Sequence, residues 1–499
     1  MKRFGIKNIF LSVFSAVLLS LPFSSGKLWI ISWFGFIPLF FALRNKSKLQ
    51  GFFLSFICGV VFWAFTIYWL VHVTLLGTGI LILYLALYFG LFGFLFSTIK
   101  DELRTIDLFF IPSTWVLLEY VRSYLFTGFP WALIGFSQYK NLPVIQTADI
   151  TGAWGISFLV VLFNAVFYLA LCRKLKLKIC LICAAILILS LAYGFYKLGR
   201  SAAWSSNKGS VKVAVIQGNI PQDLKWDKQA AAFILNNYKE LTIAASKDNP
   251  GLIIWPEASV PGLWGESGFA QFAEVFSLAS KLNTNLLVGA VSRRAGSYFN
   301  SALFIDKSGQ PTRAYNKLHL VPFGEYVPFK KTFPFLQTIA PIGDIQPGKE
   351  YTIFSQPSNF GVLICFEDLF PELSRRFVKR GAKFLVNITN DAWYKEGSAA
   401  YQHFSASVFR AVENRVYLAR AANTGISGFI DPFGRILSVV ENAAGKEVFV
   451  KGYRSQNICL APIRRTIYNR YGDFFILFCL LFEVVPCALL RRLFRGSLI

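Results

Sequence analysis

"GVLICFED", Gly361 to Asp368, runs four small or apolar residues into a cysteine and then, past Phe366, into two acids. A short apolar run with polar bounds is the pattern of a fully buried strand. A reactive side chain at its end would stand on the rim of a sheet. Cys365 has no histidine beside it, and the 499 residues hold only His72, His319 and His403. The stretch therefore predicts a buried strand ending in a thiol. That thiol is either a core sulfur or a nucleophile whose base lies elsewhere in the chain.

The pattern recurs on both sides. "VKVAVIQGNI" from Val211, "GLIIWPEAS" from Gly251, "NLLVGAVS" from Asn285, "NSALFID" from Asn300 and "KFLVNITNDAW" from Lys383 all read as strands. Helical spacing covers Asp227–Lys247, the region around Ala270–Lys281, and His403–Tyr417. "PELSRRFVKRGA" opens on Pro371 and closes on Gly381, which are helix start and stop signals. "ISGFIDPFGRIL" reads as a hairpin around Asp431–Gly434. Strands alternating with helices predict a layered α/β domain.

Outside this region the chain is of another kind. Hydrophobic residues make up 55% of it and the mean hydropathy is +0.49. Apolar runs near the roughly 20 residues needed to cross a bilayer fall at 8–24, 28–43, 51–73, 76–99, 107–122, 153–172 and 179–197, then at 473–490. Basic residues fill alternate gaps: Lys2, Arg3 and Lys7; Arg44, Lys46 and Lys48; Lys100 and Arg104; Arg173, Lys174, Lys176 and Lys178; then Arg491, Arg492 and Arg495. The positive-inside rule puts all of these in the cytoplasm, so both termini are expected inside and the stretch from about 200 to 470 outside. The first run also has the form of a cleaved signal peptide, but its removal would spoil the alternation.

The formal net charge of +24 is thus largely topological, and no basic–aromatic stripe points to nucleic acid. There is no GxGxxG, Walker loop or HExxH, and the three histidines form no metal-ligand set, so no cofactor or metal is expected. Six cysteines lie in or beside apolar runs, leaving Cys365 and Cys459 in the external region. That is no disulfide framework, and a free thiol in an oxidising space is a liability unless used. Within the runs, Glu119 and Arg122 are expected to pair at helical spacing. Glu483 is expected to face protein or to be protonated, and His72 to be structural.

Three candidate residues follow or interrupt strand-like segments: Glu257 after "LIIWP", Lys317 in "YNKLHLVPFGEYVP" and Cys365 after "GVLI". A thiol needs a base or a positive field to become a thiolate. Glu257 is a candidate base. Lys317 is a candidate field source and oxyanion partner, so that Glu, Lys and Cys would work with no histidine. Each also has a plain reading: a core cysteine, a turn-capping glutamate and a solvated lysine.

In this order "WPE", "YNKLHLVPFGEYVP" and "CFED" resemble the nitrilase superfamily, whose triad is Glu, Lys and Cys. The membrane-type half narrows the resemblance to the bacterial apolipoprotein N-acyltransferases, to which "WVLLEYVRS", "TGFPWALIGFSQY" and "TGAWGISFLV" are also similar. The resemblance implies a multi-pass α-helical membrane domain of about eight spans with an extracytoplasmic nitrilase-like α-β-β-α sandwich. The expected boundaries are 1–200 and 201–468, with a last span and basic tail over 469–499.

It further implies Cys365 as the acyl-accepting nucleophile, Glu257 as general base and Lys317 as oxyanion partner. Glu325 is implied as an additional active-site acid, Glu367 as support for the nucleophile segment, Trp226 as a substrate-side residue, and Asn390, with Asp391 and Trp393, as a stretch near the site. Phe366 departs from the tyrosine of many relatives. The implied partners are a phospholipid acyl donor, usually phosphatidylethanolamine, and a diacylglyceryl apolipoprotein acceptor. The implied place is the inner membrane with a periplasmic catalytic domain, and nothing in the chain demands a dimer. The apolar segment 327–343, with Phe329, Phe333, Phe335, Leu336 and Ile339, reads as a lid whose Lys330 and Lys331 meet lipid phosphates. The alternatives are a membrane-tethered amidohydrolase, in which water resolves the acyl-enzyme, and a transporter or lipid-binding protein with an external domain.

Overall fold

The structure, a computed structural model, describes residues 5–99, 105–172, 177–201, 209–227, 229–265, 269–328, 330, 344–460 and 465–484. The chain divides into two compact units, Met1–Gly199 with Arg470–Ile499, and Arg200–Asn469.

The first unit is helical: α1 (Ile6–Ser24), α2 (Ile37–Leu43), α3 (Lys48–Thr66), α4 (Leu75–Phe96), α5 (Thr105–Tyr124), α6 (Ala148–Leu171) and α7 (Leu177–Gly199). Ser47 and Gln50 start α3 with a reciprocal capping box, and Thr74 caps α4 through the Gly77 N–H at 3.2 Å. The backbones of α3 and α4 touch at Gly51 and Gly93, where a Cβ on either would collide with the other's carbonyl oxygen. Among the described residues six segments are long and apolar enough to cross a membrane: α1, Gly26–Leu43, α3, α4, α6 and α7.

The helices depart from the expected runs in three places. The run at 28–43 is not one helix: a 3-10 segment, Gly26–Trp33, gives way to α2, which starts at Ile37 with Pro38 in its first turn, where a missing N–H costs no helical bond. The run at 51–73 stops as an α-helix at Thr66, and Tyr68–His72 is a 3-10 turn. α5 is long enough to cross, but Asp107, Glu119 and Arg122 keep it out of the six.

Glu119 and Arg122, expected to pair, lie in each other's field but form no direct ion pair within 4 Å. Glu119 Oε1 accepts from the Ile134 N–H at 2.7 Å. Arg122 donates to the carbonyls of Phe129 at 2.6 Å and Trp131 at 2.8 Å, and its guanidinium lies 4.9 Å from the Trp63 ring. Each charge instead serves the irregular backbone after α5, whose groups have no helical partners. The last helix among the described residues runs Phe474–Val484, and there Glu483 faces protein, accepting from Thr114 Oγ1 at 2.7 Å.

The second unit is two sheets between helices. The first sheet has the order β13-β1-β2-β4-β5-β6, with β3 on β4; the second runs β12-β11-β10-β9-β8-β7. Its strands are β1 (Ser210–Gln217), β2 (Leu252–Ile254), β3 (Leu263–Trp264), β4 (Asn285–Arg294), β5 (Ser297–Ile305), β6 (Pro311–Asn316), β7 (Ile353–Phe354), β8 (Phe360–Ile364), β9 (Phe384–Thr389), β10 (Tyr417–Ala422), β11 (Gly428–Ile430), β12 (Ile436–Val439) and β13 (Gly452–Cys459). β1, β2 and β4 are parallel, as are β8, β9 and β10. Most of these strands read as apolar runs because both their faces are buried, with Asn387 of β9 and Arg420 of β10 as polar exceptions.

Helices α8 (Ala231–Ser246) and α9 (Phe269–Leu282) cover the first sheet. Their Ile234, Tyr238, Phe272 and Val275 share a core with Ala214, Ile216, Ile253 and Leu286. Period-2 alternation then turns the other face of the first sheet toward the second. Phe304 of β5 meets Phe354 and Phe360 there, at ring separations of 5.8 and 6.2 Å. Helices α10 (Pro371–Lys379) and α11 (Ala399–Asn414) cover the second sheet. Helix, two sheets, helix is the predicted layering. "GVLICFED" is strand only as far as Ile364, since Cys365–Leu369 forms a 3-10 turn.

Candidate active site

The parallel strands β2 and β8 end at Ile254 and Ile364, and the chain turns sharply just past each end. Cys365 has φ +53° and Ala258, next to Glu257, has φ +44°. A side chain in this left-handed region carries strain, which folds keep where surrounding contacts enforce it and which clusters at functional sites. Behind Glu257 the backbone lies so close to β4 that a Cβ at Gly289 would collide with Glu257 Cα, so glycine is required there.

Three separate segments meet around Lys317. Its Nζ lies 2.9 Å from Glu325 Oε2 and 3.6 Å from Glu257 Oε1. Asn300 Nδ2 donates to Glu257 Oε1 and to Glu325 Oε1, each at 2.7 Å, and the Val321 N–H donates to Glu325 Oε2 at 2.7 Å. Lys317 is 1% exposed, Glu257 8% and Cys365 7%. Burial alone would lower the Lys317 pKa, but the charges of Glu325 and Glu257 outweigh it and hold the ammonium charged. Burial pushes the Cys365 thiol well up; the Glu257 charge adds to this, and Lys317 opposes it. The thiol is thus within the field of both, and at rest it is protonated.

Glu367 ties the Lys317 segment to the Cys365 turn. Its carboxylate accepts from Leu318 N at 2.6 Å, His319 N at 3.1 Å, Ile364 N at 2.7 Å and Tyr315 Oη at 2.8 and 2.9 Å. Burial pushes Glu367 up to about 7, against these donors and Lys317, all of which favour the ionised form. Phe366 packs its ring near His319 and Phe370.

Beneath the turn lies a buried polar cluster that strand and helix patterns in the sequence do not reveal. The register β8-β9-β10 aligns Leu363, Asn387 and Arg420 across three strands. Asn387 Nδ2 donates to the Cys365 carbonyl at 3.3 Å, and Arg420 donates to Asn387 Oδ1 at 2.7 Å and Asp368 Oδ2 at 2.8 Å. His403 of α11 sits between Asp391 Oδ1 at 2.8 Å and Asp368 Oδ1 at 2.9 Å, with its Nε2 3.3 Å from the Cys365 carbonyl. Burial lowers the His403 pKa, but the two aspartates outweigh it and carry it up to about 9. The imidazolium, with both ring nitrogens donating, is therefore the resting form. Among the described residues no group of three or more His, Cys, Asp or Glu is arranged to hold a metal ion.

The other expected residues are placed as follows. Asn390 bridges Gln222 Oε1 at 2.7 Å and Asn423 Nδ2 at 3.0 Å, joining the 219–226 loop to the end of β9. Trp226 ends the turn Leu224–Trp226; its side chain lies outside the described part of the structure, as do Phe329, Lys331, Phe333, Phe335, Leu336 and Ile339. Lys330 pairs with Asp344. Cys365 and Cys459 are both free thiols. Asn300 and Lys225 were not singled out in the sequence. Lys225 is 6% exposed and donates to the Glu257 carbonyl at 2.8 Å. A lysine in a polar "PQDLKW" stretch gives no sign of burial, and Asn300 looks like the edge residue of an ordinary strand.

Family models for the apolipoprotein N-acyltransferase N-terminal domain and for carbon-nitrogen hydrolases match residues 15–166 and 212–451. The apolipoprotein N-acyltransferase of Thermotoga maritima is 30% identical over 99% of this chain and 95% of its own. That of Rickettsia prowazekii is 33% identical over 76% of each. Among solved structures, Saccharomyces cerevisiae Nit3, a member of branch 10 of the nitrilase superfamily, aligns with 53% of this chain and 94% of its own at 19% identity and a TM-score of 0.38, too low to add to the assignment. The apolipoprotein N-acyltransferase of Geobacter metallireducens is 38% identical over 97% of this chain and 96% of its own, and the chain accordingly belongs to the apolipoprotein N-acyltransferase family.

Proposed function

We propose that the protein transfers a fatty acyl chain from a phospholipid, through a thioester on Cys365, to the α-amino group of the S-diacylglyceryl-cysteine that begins an apolipoprotein. The observation that carries this reading is the bonding of Lys317 to both Glu257 and Glu325, within the field of the Cys365 thiol, in a chain of this family.

In the first half-reaction Glu257 takes the thiol proton as Sγ bonds to the ester carbonyl carbon. The ester C–O bond then breaks, and Glu257 returns the proton to the departing lysophospholipid oxygen. In the second, the α-amine attacks the thioester carbon, Glu257 takes a proton from the nitrogen, the C–S bond breaks and the thiol is restored. Lys317 Nζ stabilises the oxyanion in both tetrahedral intermediates. Glu325 and Asn300 fix Lys317 and Glu257 in place, and Glu367 holds the nucleophile turn. Two successive transfers through one thiol give ping-pong kinetics.

In this reading phosphatidylethanolamine is the donor and the protein acts as a monomer in the inner membrane. Residues 1–200 and 469–499 are the membrane part, 201–468 form a periplasmic catalytic domain, and both termini are cytoplasmic. The test is complementation of an acyltransferase-depleted strain. The wild-type gene should restore N-acylation of a reporter lipoprotein, and Cys365→Ser should not; N-acylation by Cys365→Ser at the wild-type level would refute the reading.

A further inference from the structure

The charges around Lys317 do not balance. Two carboxylates, Glu257 and Glu325, face one ammonium there. A site that must turn a thiol into a thiolate gains nothing from a surplus negative charge. A further cation within the field of Glu257 and Cys365 comes from another segment. Lys225 lies in the turn Leu224–Trp226 before α8 and is 6% exposed. Among the described residues its ammonium makes one hydrogen bond, to a neutral acceptor, the Glu257 carbonyl at 2.8 Å. A buried ammonium has three donors and a strong demand for charged or polar partners, and this one has no carboxylate of its own.

We propose that Lys225 is a positioning residue of the reaction centre. Its hydrogen bond pins the strained turn that carries Glu257, and its charge offsets the second carboxylate and favours the Cys365 thiolate. The proposal rests on the role given to Cys365 and Glu257 above.

The groups that face Lys225 fit this role. Burial lowers its pKa to about 8, while Glu257, from the turn after β2, and Cys365, from the turn after β8, both favour its charged form. Asp223 and Asp227 flank it on its own segment. Lys317 and Glu325 are the ion-paired neighbours of Glu257, Asp391 also acts on the Cys365 thiol, and Glu367 lies in the field of Lys317. Lys225 is therefore charged at pH 7 and loses its charge at mildly alkaline pH. Glu257 is then held by a neutral amine, and the centre carries the surplus negative charge.

The test reads the thiol directly, without any lipid. The full-length protein in detergent is treated with iodoacetamide from pH 6.5 to pH 10, and carboxamidomethylation of Cys365 is followed by peptide mass spectrometry. In the wild type the rate should climb with pH and flatten above about 8 as Lys225 discharges. Lys225→Met should react roughly tenfold more slowly at pH 7, corresponding to one pKa step of the thiol, and show no break. Lys225→Arg, charged throughout, should restore the rate at pH 7 and keep climbing past pH 8. Equal Cys365 rates in wild type and Lys225→Met across the range overturn the proposal, and so does a break retained in Lys225→Arg. A melting curve for each variant separates these results from unfolding. Formation of an acyl thioester from phosphatidylethanolamine, measured in parallel, reports on the acyl-transfer reading: its absence in the wild type would refute that reading while the alkylation profile still decides the role of Lys225.

Discussion

Glu367→Gln keeps the size of the side chain and exchanges one oxygen for an NH2 group. Oε1 serves the N–H groups of Leu318 and His319, and Oε2 serves that of Ile364 at 2.7 Å. Whichever way the amide turns, its NH2 faces a backbone N–H. In the better orientation only Ile364 is affected. A charge-assisted bond is lost and a buried donor is left without an acceptor, which costs about 3 kcal/mol. Ile364 is the residue before the strained Cys365, so the loss falls on the nucleophile turn. If it is felt fully there, thioester formation slows about a hundredfold. Tyr315→Phe is the matched control: it removes one donor, leaves the three backbone bonds in place, and should cost about 1–1.5 kcal/mol. Melting in detergent and the rate of thioester formation on Cys365 measure both effects. Burial raises Glu367 from the ordinary 4.5 to about 7, so as the pH falls from 8 to 6 the folded protein takes up a proton that the unfolded chain does not; this carboxyl should make the wild type melt higher over that window, and the Gln variant should lack that rise. A Glu367→Gln protein that melts and acylates like the wild type would refute the idea that this carboxylate holds the turn.

Asn300→Asp replaces the donor shared by Glu257 and Glu325 with a third carboxylate, 2.7 Å from each. Like charges at that distance cannot all stay ionised, so single-turnover acylation should fall by about two orders of magnitude while the fold persists; a near-wild-type rate would count against the cluster as the reaction centre. His403 gives a stability prediction with a definite sign. Its folded pKa of about 9 lies above the ordinary 6.5. Its contribution is therefore fully present below pH 6.5 and lost as the pH rises through 9, an interval worth about 3 kcal/mol. Denaturant midpoints should fall over that window in the wild type, and the fall should shrink in His403→Gln; equal pH slopes would refute the imidazolium.

The layered α/β unit was legible in the sequence because most of its buried strands are apolar runs with clear stops; β10, broken by Arg420, was not read. Glu257, Lys317 and Cys365 drew notice because each breaks or ends such a run. What stayed hidden depends on contacts between distant segments. Asp368, His403 and Arg420 come together only through the β8-β9-β10 register and the packing of α11. Lys225 reaches Glu257 from 32 residues away. In the membrane-type half, hydropathy located the helices but not their breaks: one run divides ahead of Ile37. The Glu119 and Arg122 spacing suggested a pair, but the irregular backbone after α5 claims both side chains.

The most direct measurement is intact-protein and peptide mass spectrometry of purified full-length enzyme after exposure to phosphatidylethanolamine, then to a diacylglyceryl-cysteine peptide with a free α-amino group. The proposed chemistry predicts one fatty-acyl adduct on Cys365, stable in buffer, transferred to the peptide nitrogen when the peptide is added, and absent in Cys365→Ser and Glu257→Gln. No adduct on Cys365, or an adduct released only to water whether or not the peptide is present, would contradict it.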